Sequence, residues 1–154
     1  MAGSVKVKGS ADLAEEIYRN VRMASESILD LMPRVRSEKL KGELTAELEA
    51  YEGLASRAAA LVKEAGGTPD DGSAWARMGA KWGILMNVAK DATEEHLVQM
   101  MIEGTTMGVG ELLRWIRAAE GTEIPVSEEA IDLAKETCHY EEKTVERLKD
   151  LLRA

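Results

Sequence analysis

Proline occurs at only three positions, 33, 69 and 125. Its ring fixes φ and its nitrogen carries no hydrogen, so helix interiors exclude it. Between these points apolar residues return every three or four positions, the period of a helix packed along one face. No stretch alternates with period two over any length, so no sheet is expected. Composition agrees. There is no Phe, and only three Tyr and three Trp, so the core must be Leu, Ala, Met, Ile and Val, a mixture that favours helix over strand. The chain has 154 residues, 45% of them apolar. That is one domain's length and enough for one core. We expect a flexible tail over 1–10 and a single helical domain over 11–154.

The first segment, 11–31, places Leu13, Ile17, Val21, Ala24, Ile28 and Leu31 on one face, with no acid among them. The second, 37–65, carries Leu40, Leu44, Leu48, Tyr51, Leu54, Ala55, Ala58, Leu61 and Val62, and stops at Gly66-Gly67. The third has two parts. Residues 73–89 align Trp75, Met78, Gly79, Trp82, Leu85, Met86 and Ala89. Asp91 with Glu94 three residues on has capping-box spacing, so a break or a fresh helix is expected near 91. The pattern then runs to Glu120 through Leu97, Met101, Gly104, Gly108, Leu112 and Trp115, and Gly121 ends it. The fourth starts after Pro125 with Ser127 as N-cap and runs to Leu152, presenting Ile131, Ala134, Cys138, Val145, Leu148 and Leu152. The expected fold is all-α: an antiparallel up-down four-helix bundle with its third helix broken near residue 91.

Several functions are excluded. With 28 acidic and 20 basic residues the net charge is −8, the wrong sign for a nucleic-acid binder. The apolar region 97–116 is interrupted by Glu103, Glu111 and Arg114, so no membrane span is expected. One cysteine, Cys138, precludes a cysteine-rich zinc site or an internal disulfide. No signal peptide is visible, which points to a cytoplasmic chain. No nucleophile elbow or phosphate loop is present; whether the protein is an enzyme stays open.

Two glutamates fall inside apolar stripes: Glu47, between Leu44, Leu48 and Tyr51, and Glu141, between Cys138, Val145 and Leu148. A buried Glu needs a partner, a metal or a proton. If the two meet inside the bundle they offer oxygen ligands for iron or manganese. Alternatively each meets an Arg or Lys, a Tyr hydroxyl, or a wet end of the bundle. Glu94 also faces the stripe, although capping accounts for it. Glu136-x-x-His139 has the spacing of a carboxylate–imidazole metal pair, but on the helical wheel it lies opposite Cys138 and Glu141. His96 shares an outer face with Gln99 and Glu103. Met78, Met86, Met100, Met101 and Met107 follow the stripe and read as core filler. Gly79-x-x-x-Gly83 and Gly104-x-x-x-Gly108-x-Gly110 suggest close approach of another helix, within the chain or across an interface.

Long helices with inward glutamates on the second and fourth arms resemble the ferritin-like superfamily. The stretch from His96 to Gly108 (HLVQMMIEGTTMG) is similar to a signature of an uncharacterised, Firmicutes-type family of small bacterial ferritin-like proteins, as is Arg22–Ile28 (RMASESI). The resemblance implies a bundle fold, and for ferritin-like proteins at large a di-metal centre. Here one Glu-x-x-His stands where two are usual. Two readings follow. In the first, the bundle works through self-association, most simply as a homodimer formed by the Gly- and Met-rich third helix. In the second, Glu47 and Glu141, with Glu94, bind iron or manganese for storage or redox protection.

Overall fold

A computed structural model describes residues 5, 7–70 and 93–153, and among these the chain forms helices and no strand. There are four α-helices: α1 (Ser10–Leu31), α2 (Glu38–Glu64), α3 (Glu94–Gly121) and α4 (Glu128–Arg153). A 3-10 turn, Met32–Arg34, follows α1 and holds Pro33 in its first turn. The segment expected over 73–89, with Trp75, Met78, Gly79, Trp82, Gly83 and Met86, lies outside the described residues.

The helix ends follow from local chemistry. Ser37 Oγ accepts the Leu40 N–H at 3.1 Å and starts α2. At the other end Gly66 has φ 85°, and Gly67 and Gly66 donate to Val62 O at 2.9 Å and Lys63 O at 3.0 Å. That is the left-handed glycine stop in which the last carbonyls are satisfied by the residues just beyond the helix. Ser127 Oγ accepts the Ala130 N–H at 3.1 Å and caps α4. Its own N–H donates to Ser10 Oγ at 2.7 Å, so the starts of α1 and α4 touch.

The start of α3 departs from expectation. Thr93, not Asp91, is the N-cap: its side chain accepts the His96 N–H at 3.2 Å. Thr93 is the last residue with extended dihedrals, so its oxygen faces the free N–H groups of the first turn. Asp91 lies outside the described residues. Glu94 is thereby released from capping its own helix. Its carboxylate instead accepts the backbone N–H groups of Arg36 at 3.3 Å and Ser37 at 3.1 Å, which joins the starts of α2 and α3.

The helices α1 and α2 pack along each other, as do α3 and α4; α1 also touches α3 and α4, and α2 touches α4. Leu13, Ile17, Val21, Leu44, Leu97, Leu112 and Leu148 are fully enclosed, each stabilising the fold by about 1.5–3 kcal/mol relative to exposure. Because α1 meets three other helices, its buried surface is wider than one stripe. That corrects the expectation that α1 buries no acid: Glu16 is 7% exposed, 3.5 Å from Arg19. Val7, ahead of α1, is also buried against the core. No helix among the described residues is long and apolar enough to cross a membrane.

Candidate functional site

Near the midpoint of every helix the apolar core gives way to polar groups. Glu47 and Glu141 are 1% and 2% exposed. Glu43, Glu47 and Tyr51 are spaced four residues apart, so they stand above one another along α2. Tyr51 Oη donates to Glu141 Oε2 at 3.4 Å. Tyr51 and Tyr140 meet edge to face with ring centroids 5.5 Å apart. Arg147 completes this side: its Nε donates to Glu43 Oε1 at 3.1 Å, its Nη2 to Thr144 Oγ1 at 2.8 Å, and its guanidinium lies 5.3 Å from the Tyr140 centroid.

From α1 and α3 come Asn20 and Gly108. Asn20 Nδ2 donates to Gly108 O at 3.0 Å. A methyl group on Gly108 would stand 3.2 Å from Asn20 Nδ2 and 3.3 Å from Glu141 Oε2. The glycine therefore lets two polar side chains approach the α3 backbone. This accounts for one member of the Gly104–Gly108–Gly110 series by contacts inside the chain. Around Gly110 nothing lies within 4 Å.

The enclosure alters proton binding. Burial pushes Glu141 up to about 8, against the Tyr51 hydrogen bond, which pulls it down. Glu47 is also raised, chiefly by burial, then by the hydrogen bond and like charge of Glu43. Arg147 opposes this rise and Glu141 adds to it. Tyr51 is raised well above the usual phenol range by burial and by both glutamates. Burial raises the nearby Cys138 thiol to about 12, so it is a poor nucleophile. Three oxygens in this layer are enclosed and make no hydrogen bond among the described residues: Glu47 Oε2, Glu141 Oε1 and Asn20 Oδ1. Bare buried oxygens are uncommon and call for a physical reason.

The remaining candidates lie elsewhere. Glu94 is engaged at the α2 start, ten residues and roughly 15 Å along that helix from Glu47. Glu136 and His139 are exposed, and Glu136 pairs through both oxygens with Arg57. His96, Gln99 and Glu103 are exposed on α3. No three His, Cys, Asp or Glu side chains converge as a metal-binding group among the described residues.

The sequence reading missed Asn20, Glu43 and Arg147. One signal was present: Glu43 and Glu47 are like charges four residues apart on one face, which calls for a cation from another helix. Asn20 gives no such signal, being one polar residue at the edge of an apolar stripe.

Protein-family models, curated proteins and solved structures yield no match to this chain.

Proposed function

We propose that the chain is a ferritin-like four-helix bundle whose central carboxylate layer binds a divalent cation that takes oxygen ligands, ferrous iron or manganese. Contacts between helices support the topology. Glu43 with Arg147, Tyr51 with Glu141 and Arg57 with Glu136 run in opposite order along α2 and α4, as antiparallel neighbours do. The starts of α1 and α4 touch, and so do those of α2 and α3. This favours an up-down-down-up order over simple alternation, with the end of α2 and the start of α3 at opposite ends. A single long crossover is the ferritin-like pattern.

The observation that carries the functional reading is the set of enclosed oxygens without hydrogen bonds, Glu47 Oε2, Glu141 Oε1 and Asn20 Oδ1, on three different helices. Oxygen donors suit manganese and ferrous iron, and exclude soft ions such as copper(I). The two-metal ligand set of ferritin-like proteins does not fit, since Glu136 and His139 face outward. Glu47 and Glu141 would hold the ion, with the Asn20 amide oxygen as the neutral ligand. An ion held there supplies a redox-active or Lewis-acidic centre enclosed by a bundle. Without it, Glu47 and Glu141 hold protons, which exchange for the cation on loading. Tyr51 orients the Glu141 carboxyl, and the near-complete burial of Glu47 and Glu141 excludes bulk water.

Anaerobic dialysis against Mn2+ or Fe2+, followed by metal analysis, tests this. Bound metal should approach one ion per chain and vanish in the Glu47→Gln, Glu141→Gln double variant. Metal near zero in the unaltered chain rules the reading out.

A further inference from the structure

Glu103, Thr106, Gly110, Leu113 and Arg117 follow one another at spacings of three and four, so they share one face of α3. All five are exposed, Leu113 by 51%. Gly110 stands at the middle of this face. Unlike Gly108, it has no contact inside the chain that calls for a glycine, because nothing lies within 4 Å of where its methyl would be. Leu113 and the half-buried Met107 flank it, each three residues away. The charges of the face divide at the same point. Glu103 lies seven residues before Gly110 and Arg117 seven after, each roughly 10 Å along the helix. Neither forms an ion pair among the described residues. The acids on the Arg117 side are already neutralised: Arg114 holds Glu111 at 3.0 Å, and Lys135 of α4 holds Glu120 at 3.0 Å.

We propose that this face of α3 is the contact surface for a second copy of the chain, the two α3 helices lying antiparallel about a two-fold axis at Gly110. The proposal is independent of cation binding. A two-fold contact joins one patch to itself, so the patch must be self-complementary. This one is. An antiparallel pair centred on Gly110 sets Glu103 of each chain beside Arg117 of the other, and Leu113 of each at the level of Met107 of the other. A parallel pair would set Glu103 against Glu103 and Arg117 against Arg117, like against like. Local complementarity matters here because each chain carries a net charge of −8, so two copies repel unless the contact itself attracts. Glycine at the axis lets the two backbones approach. An alanine there would favour α3 in the separated chain and press on the second copy in the pair.

Sedimentation equilibrium of the full chain in chelator and low salt tests this. The unaltered chain should reach a dimer as its concentration is raised. Glu103→Arg or Arg117→Glu alone turns two symmetry-related attractions into repulsions and should weaken the dimer about tenfold. Glu103→Arg combined with Arg117→Glu restores opposite charges and should restore the dimer. A chain that stays monomeric at millimolar concentration would overturn the proposal. So would a dimer that neither single reversal weakens, since its contact would lie elsewhere or run parallel, or one that the double reversal fails to restore. If circular dichroism shows that a reversed variant does not fold, Leu113→Ser decides in its place: a weaker dimer supports the contact and an unchanged one overturns it. Because chelator removes divalent ions throughout, failure here is distinct from failure of the cation-binding reading.

Discussion

Replacing Glu141 by Gln isolates the energetic consequence of the buried layer. Glu141 has an ordinary carboxylate value of 4.5 in the unfolded chain and about 8 when folded. Between those limits the folded chain keeps a proton that the unfolded chain has released. The unfolded state therefore binds fewer protons, and the stability this group confers is complete below pH 4.5 and lost as pH rises through about 8. Each pH unit of separation corresponds to about 1.4 kcal/mol, so the whole interval is worth about 5 kcal/mol at most. Inward movement of water would lower that figure to about 2–5 kcal/mol. Glutamine has nearly the shape of the protonated acid, can still accept from Tyr51, and cannot ionise. The variant should therefore gain on the unaltered chain by this amount as pH rises across the interval. Urea unfolding of both chains at constant ionic strength, in chelator and at steps from pH 4.5 to 8, measures the difference. Glu47 contributes in the same direction to both chains, so it cancels to first order. If the two stability curves stay parallel, Glu141 ionises without penalty and the enclosed layer does not exist as described.

Three further outcomes follow from the same geometry. Gly110→Ala, with open space around it, should stabilise α3 by about 1 kcal/mol. Gly108→Ala should lose that gain, because its methyl presses on Asn20 and Glu141; equal gains in urea unfolding would show that Gly108 is not a close-approach site. Tyr51→Phe removes the donor to Glu141 and should cost about 1–2 kcal/mol; a carbon-13 titration should also place the Glu141 midpoint higher than in the unaltered chain, and an unmoved midpoint would sever the two residues. Cys138 is 3% exposed with its thiol raised to about 12; it should resist disulfide reagents in the native chain and react on adding urea, whereas rapid native reaction would mean that this face of α4 is open.

The all-helical class, the glycine stop after α2 and the serine cap of α4 were legible because each depends on residues close together in sequence. The enclosed positions of Glu47 and Glu141 were legible for the same reason, since one helical wheel places an acid among leucines. What lay beyond reach depends on which helix faces which. Glu94 looked like half of a capping box, yet its carboxylate serves the start of α2, 58 residues away from Arg36 in sequence. Glu16 falls outside the stripe read for the first helix because a single stripe describes a helix with one neighbour, whereas α1 has three. The partners of the two glutamates are of this kind. Tyr51 is 90 residues from Glu141, and Arg147 is 104 residues from Glu43; no local pattern encodes either pairing.

The central layer is hard to explain as a stabilising device. A bundle with apolar residues at these positions would bury more hydrocarbon and leave no oxygen bare, and replacing buried ionic groups by well-packed apolar ones is often neutral or stabilising by about 1–4 kcal/mol. Gly108 adds to the deficit, since glycine inside a helix is about 1 kcal/mol less favourable than alanine. Specificity of packing could justify one buried polar contact. It does not require two enclosed acids with raised proton affinity, nor oxygens on three helices without hydrogen bonds. Nor does it require the glycine, whose missing methyl gives Asn20 and Glu141 their room. These features lie at one level of the bundle and draw on all four helices, so a single chance substitution does not produce them. A bound cation would relieve them together: it supplies the charge that Glu47 and Glu141 lack and gives the bare oxygens a partner. Arg147 already does the same for Glu43 from within the chain.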